Sequence, residues 1–111
     1  MNEVVLIGCL SAAPEVRELP SGDELCVCRL VVPRDTVRML PSGRKGPSVD
    51  VVDLAAWVAR PRRSMAGWHP GDEVEVRGAL RRRFYQAGGR TASRVEVEVS
   101  SARMLRRAAS G

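Results

Sequence analysis

The run Val4-Val5-Leu6-Ile7-Gly8-Cys9-Leu10 carries no charged residue. Successive side chains of a strand point to opposite faces. Val4, Leu6 and Leu10 then share one face, and Val5, Ile7 and Cys9 share the other. A strand over Glu3 to Leu10 that is apolar on both faces is covered on both. In a chain of 111 residues one face meets the interior of a small barrel. The other meets a partner chain. Val5, Ile7 and Cys9 are the expected contact between copies.

The rest of the chain reads as further strands separated by turns. Pro14 and Leu19-Pro20-Ser21-Gly22-Asp23 mark a loop and turn. Leu25 to Val32 is the next strand. Pro33 to Pro47 turns polar, with a mobile tip at Pro41-Ser42-Gly43-Arg44-Lys45-Gly46-Pro47. Val49 to Val58 alternates: Val52, Leu54, Ala56 and Val58 form the inward row, and Trp57 lies with Asp53 on the mixed face. Arg60 to His69 is the one plausible helix. Pro61 suits its first turn, and Pro70-Gly71 limits it to two turns. Met65 and Trp68 can face the same way, with Trp68 plugging one end of the core. Glu73 to Tyr85 places Val74, Val76, Gly78, Leu80 and Phe84 on one face, interrupted by Arg82. Gln86-Ala87-Gly88-Gly89 is a hairpin turn. Arg94 to Met104 returns with Val95, Val97 and Val99 inward and Glu96 and Glu98 outward. Five strands, with one short helix between the third and fourth, is the order of an OB-fold, an all-β five-stranded Greek-key barrel. Residues 1–105 form that single domain. Residues 106–111 are expected to be a disordered basic end.

Composition narrows the chemistry. Lysine and arginine number 18 against 13 acids, for a net charge of +5, and Lys45 is the only lysine. A basic surplus on a small domain points to a polyanionic partner, usually nucleic acid. A genome rich in G and C produces the same arginine bias. The three cysteines, Cys9, Cys26 and Cys28, form no CxxC pair, and His69 is the only histidine. A zinc site needs about four well-spaced ligands, so no metal and no cofactor is expected. Reduced thiols fit a cytosol, and a bridge between subunits through one of them stays open. No apolar run approaches the ~20 residues of a membrane span. Glu3, Pro14 and Glu15 do not fit a signal peptide. A soluble cytoplasmic protein is expected. There is no phosphate-binding glycine loop, no nucleophile with a nearby histidine and no carboxylate pair on one face, so neither an enzyme nor a small-molecule substrate is expected.

The segment from Arg77 to Arg94 holds Arg77, Arg81, Arg82, Arg83, Arg90 and Arg94 and no acid. Arg77, Arg81 and Arg83 share a face with Tyr85. A base stacked on an aromatic ring contributes about 1–3 kcal/mol whatever the base, and neighbouring guanidinium groups displace counterions from phosphates. That combination suits sequence-tolerant binding of single strands. A solvated strand face with Tyr85 covering a neighbour is the bland alternative. Trp57 on its mixed face is a second candidate ring. Packing against the helix or a second subunit is the alternative there.

Met1-Asn2-Glu3-Val4-Val5-Leu6-Ile7-Gly8-Cys9-Leu10, Pro14-Glu15-Val16-Arg17, Pro20-Ser21-Gly22 and Gly71-Asp72-Glu73-Val74-Glu75-Val76-Arg77-Gly78-Ala79-Leu80-Arg81 closely resemble bacterial single-stranded DNA-binding proteins over residues 1 to 105. The resemblance implies an OB-fold that assembles through its first strand, as a homotetramer more readily than a dimer. It implies non-sequence-specific binding of single-stranded DNA in replication, repair or recombination. Trp57 and Tyr85 match two stacking positions of the family. Two others fall on Thr36 and Val51, which cannot stack bases. Arg77, Arg81, Arg83 and Arg90 are then phosphate contacts, with Arg34, Arg38, Arg44 and Lys45 as mobile ones. Hub members of the family end in a long linker and an acidic tip. This sequence ends in Arg106, Arg107 and small residues, so either the tail has been removed or this is a divergent, tail-less member. The alternative is an adaptor of the primosomal type, related in fold and bridging proteins. RNA binding also stays open, because stacking does not check for a 2′-hydroxyl.

Overall fold

A computed structural model describes residues 1–109. The elements follow as β1 (Val4–Leu10), β2 (Glu15–Glu18), β3 (Glu24–Pro33), β4 (Val49–Ala56), α1 (Ala59–Ala66), β5 (Glu73–Ala87) and β6 (Arg90–Arg106). Hydrogen-bonded neighbours run β1-β5-β6-β4-β3, and β3 returns to β1 through Cys9↔Val31 and Leu10↔Leu30. Five strands thus close a barrel. Every pairing is antiparallel except β4 with β6, which is parallel at Leu54↔Val97 and Ala55↔Glu98. The helix lies between the third and fourth barrel strands. This is the OB-fold expected from the strand order.

The core is aliphatic. Leu10, Cys26, Cys28, Leu30, Leu54, Ala56, Val74, Val76, Val97 and Val99 fill it, with Met65 and Trp68 entering from the helical segment. Each fully buried Val or Leu contributes about 1.5–3 kcal/mol. The inward parity of β3 holds Cys26 and Cys28 on one face, as their spacing predicts. Burial pushes the Cys28 thiol up to about 12, with Cys26 and Asp53 adding to it. All three cysteines are free.

Strand β1 buries one of its faces. Val4 and Leu6 pack on the core, while Val5 and Ile7 remain about half exposed. It pairs with β5 from Val4 to Cys9 but with β3 only at Cys9 and Leu10. Its other edge is therefore unpaired from Val4 to Gly8.

Four readings are corrected. The stretch read as loop before Leu19 contains β2, paired to β3 from Glu15↔Val27 to Glu18↔Glu24. All four β2 residues are exposed, so no apolar alternation marked it. Strand β4 stops at Ala56 and α1 at Ala66, leaving Val58 exposed before the helix rather than inward. The inward row of β5 ends at Gly78: Leu80 is exposed, and Phe84 is 69% exposed. On β6, Val95 is exposed and Glu96 is buried, the reverse of the expected order. The reason is length. β5 and β6 run 15 and 17 residues, against 7 in β1 and 8 in β4. Their outer halves project past the barrel rim as a two-stranded ribbon, where there is no interior to face.

Part of the segment expected to be disordered, from residue 106, makes defined contacts. Arg106 is still paired, to Glu73. Buried Asp72 accepts hydrogen bonds from the backbone N–H of His69 and of Ala108, both at 2.8 Å, with the Arg107 guanidinium at 3.5 Å. These bonds tie the start of β5 to the segment after β6. Ser110 and Gly111 lie outside the described residues.

Candidate nucleic-acid interface

The outward faces of β3 and β4 carry Val27, Arg29 and Asp53, and they form the floor of a groove. β2 walls one side and the β5–β6 ribbon the other. The groove holds about 280 Å³, bordered by Glu15, Arg17, Arg29, Asp53, Arg94 and Glu96 among others. It shares Arg17, Arg94 and Glu96 with a second hollow of about 230 Å³ that reaches Arg83, Phe84 and Tyr85. The two adjoin along these shared residues.

Tyr85 borders the second hollow, and Trp57 lies beside Arg83, which also lines it. Trp57 follows the last residue of β4 and is half-buried. The Arg83 guanidinium carbon lies 5.1 Å from its ring centroid. Arg62 fixes the same residue by donating to the Trp57 carbonyl at 3.0 Å. Tyr85, on the ribbon, is 43% exposed, and the Arg94 guanidinium carbon lies 5.8 Å from its centroid. A cation over a ring face is attracted to the ring quadrupole by about 0.5–1 kcal/mol at exposed sites. Each ring thus carries a guanidinium near its face.

The arginines divide into two sets. Arg83 donates to buried Glu96 at 3.3 Å, Arg81 to Glu98 at 2.9 Å, and Arg77 lies 3.7 Å from Glu75. The stretch from Arg77 to Arg94 holds no acid along the chain, yet antiparallel pairing brings Glu96 and Glu98 across to it. Arg34 pairs with Asp50 at 2.8 Å. Arg38, Arg44, Lys45 and Arg90 make no ion pair among the described residues. Arg38, Arg44 and Lys45 sit on a small closed hairpin between β3 and β4. It is held by the Met39↔Lys45 bridge and by the Leu40 N–H donating to the Arg44 carbonyl at 2.7 Å. Arg90 begins β6 at the ribbon tip. Arg77 stands on the barrel wall outside the groove.

Sequence reasoning missed Arg17, Arg29 and Glu96 as groove residues and passed over Arg94 and Phe84. Arg29 had a visible signal, being the one charge inside the apolar run Leu25 to Val32. Arg82, breaking the apolar row of β5, was the signal that this row had left the core. Glu96 had none, since its burial depends on contacts across the barrel. Among the described residues no cluster of three or more His, Cys, Asp or Glu could hold a metal. No helix there is long and apolar enough to cross a membrane.

The class is that of an OB-fold domain whose open groove combines rings and guanidinium groups. Residues 1–105 match the Single-strand binding protein family, and the chain belongs to that family. Among solved structures, a Plasmodium falciparum SSB in complex with ssDNA superposes with a TM-score of 0.75 at 18% identity, covering 95% of each chain. A deletion mutant of the single-stranded DNA binding protein from Thermus aquaticus superposes with a TM-score of 0.72 at 24% identity. That match covers 95% of this chain and 50% of the other. No curated protein matches in sequence.

Proposed function

We propose that this protein binds single-stranded DNA without sequence preference, along the groove between β2 and the β5–β6 ribbon. The observation that carries the reading is that Trp57 and Tyr85 each lie beside a guanidinium, Arg83 and Arg94, that lines the hollow adjoining the groove. Family membership supports the same conclusion. Trp57 and Tyr85 stack bases. Arg17, Arg29 and Arg94 line the path of the phosphates, the first two by leaving Glu15 and Asp53. Arg38, Arg44, Lys45 and Arg90 supply cations that no carboxylate neutralises. Arg34, Arg77, Arg81 and Arg83 bind phosphate only by leaving Asp50, Glu75, Glu98 and Glu96. The exposed Val5 and Ile7, with Cys9 and the unpaired edge of β1, assemble the barrels into a homo-oligomer, with a tetramer favoured. The role is the holding of unpaired strands during replication, repair or recombination.

A titration of oligo(dT) at two salt concentrations tests this. Sub-micromolar binding is expected at 50 mM salt, weakening steeply as salt rises to about 500 mM, because each phosphate contact releases a counterion. Trp57→Ala is expected to weaken binding by roughly 1–3 kcal/mol. A second reading, a protein-bridging adaptor, is favoured by the carboxylates that hold Arg77, Arg81 and Arg83. Negligible oligo(dT) binding would support it.

A further inference from the structure

The ribbon formed by the outer halves of β5 and β6 has two faces, and of the second face only Phe84 also borders the hollow that adjoins the groove. Tyr85 pairs with Ala92 on the groove face, where Glu96 and Glu98 hold Arg83 and Arg81. Residues Leu80, Arg82 and Phe84 alternate onto the opposite face, across from Val97, Val95 and Ser93. Phe84 is 69% exposed there, the most exposed ring of the chain. No carboxylate lies on this face beyond Gly78. The Arg82 guanidinium donates only to the Ser93 hydroxyl, at 2.9 Å. An exposed ring beside an un-neutralised guanidinium is the pairing that a base and its phosphate require.

We propose that Phe84 is a second base-stacking platform, and that a bound strand leaves the hollow beside Tyr85 and turns round the ribbon tip to stack on the side of the Phe84 ring that faces away from it. The inference rests on the single-strand-binding reading above. The tip permits the turn: Gly88 and Gly89, at φ 57° and 78°, present no side chain, and nothing lies within 4 Å of where a Cβ would stand. Arg90, unpaired at the tip, meets the backbone as it passes from Tyr85 to Phe84. The charge of this face selects its occupant. A second copy seated on Leu80, Val95 and Phe84 would leave Arg82 without a counter-charge, whereas a polynucleotide supplies one.

The test compares wild type, Phe84→Ala, Phe84→Trp and Arg82→Ala in titrations with oligo(dT) of increasing length, with light scattering alongside. Phe84 is solvent-exposed, so its removal leaves the barrel intact, and circular dichroism verifies this. For oligonucleotides long enough to round the tip, Phe84→Ala is expected to bind at least about fivefold more weakly. Short ones bind unchanged. Phe84→Trp restores the affinity and adds fluorescence quenched by long oligonucleotides only. Arg82→Ala lowers the salt slope for long oligonucleotides by about 0.7. Equal affinity of Phe84→Ala and wild type at every length overturns the proposal while leaving the groove reading intact. A fall in mass with no change in DNA affinity would assign the face to self-association and overturn it equally. Failure of wild type to bind any oligonucleotide overturns both.

Discussion

At the residue scale, Glu96 sets how strongly the groove grips an anion. It is almost fully buried and holds Arg83 over Trp57. Glu96→Gln keeps the shape and removes the charge that competes with phosphate for Arg83. Tighter binding of oligo(dT) at low salt is expected, with a log–log salt slope steeper by about 0.7, one phosphate contact on single strands. An unchanged slope in a fluorescence titration would show that Arg83 never leaves Trp57. Asp72 acts on stability instead. The backbone N–H groups of Ala108 and His69, with Arg107 nearby, hold its carboxyl below the usual carboxylate range. A carboxyl whose folded value is depressed stabilises above its unfolded value of about 3.9 and loses that stabilisation as pH falls through the folded one. Asp72→Asn is therefore expected to lower the denaturation midpoint at pH 7 and to narrow its gap from wild type below about pH 4. Neither residue announced its role in the sequence. Each is a lone acid whose partners, Arg83 and Ala108, lie 13 and 36 positions away.

At the element scale, alternation revealed the strands but not where the barrel stops. The rows in β1, β3 and β4 were legible because each strand spans the core once. β5 and β6 outrun it, and Leu80, Phe84 and Val95 continue the apolar period into solvent. A two-residue period reports which face a side chain takes, not what lies opposite that face. β2 escaped because it is exposed on both sides. Gly78 marks where β5 leaves the barrel. A Cβ there would collide with the Glu98 carbonyl oxygen of β6, so the two strands approach closely only through a glycine. Gly78→Ala is expected to cost about 1–3 kcal/mol, as overpacking does. Urea unfolding at fixed protein concentration measures it. The same variant should displace Tyr85 and weaken oligonucleotide binding, since the register of β5 on β6 shifts at this contact.

At the scale of the whole molecule, the outward face of the first strand and the groove are different surfaces, so assembly through the one and binding at the other are expected to be separable. Val5 and Ile7 lie outward on β1, and the groove residues belong to β2, β3, β4 and the ribbon. Ile7→Asp is expected to reduce the mass seen by light scattering toward the 12.1 kDa of one chain. Binding of a short oligonucleotide to each protomer should persist. This separation was legible early, because a strand apolar on both faces and a cationic segment lie at opposite ends of the chain. The parallel contact of β4 with β6 has a further consequence for biosynthesis. The last strand made slots between two that were made earlier. Until Glu98 has left the ribosome, the nascent chain holds a gapped sheet with two bare edges, each a template for strands of a neighbouring polypeptide. A stalled or nicked product ending short of that residue would clump rather than simply bind DNA less well.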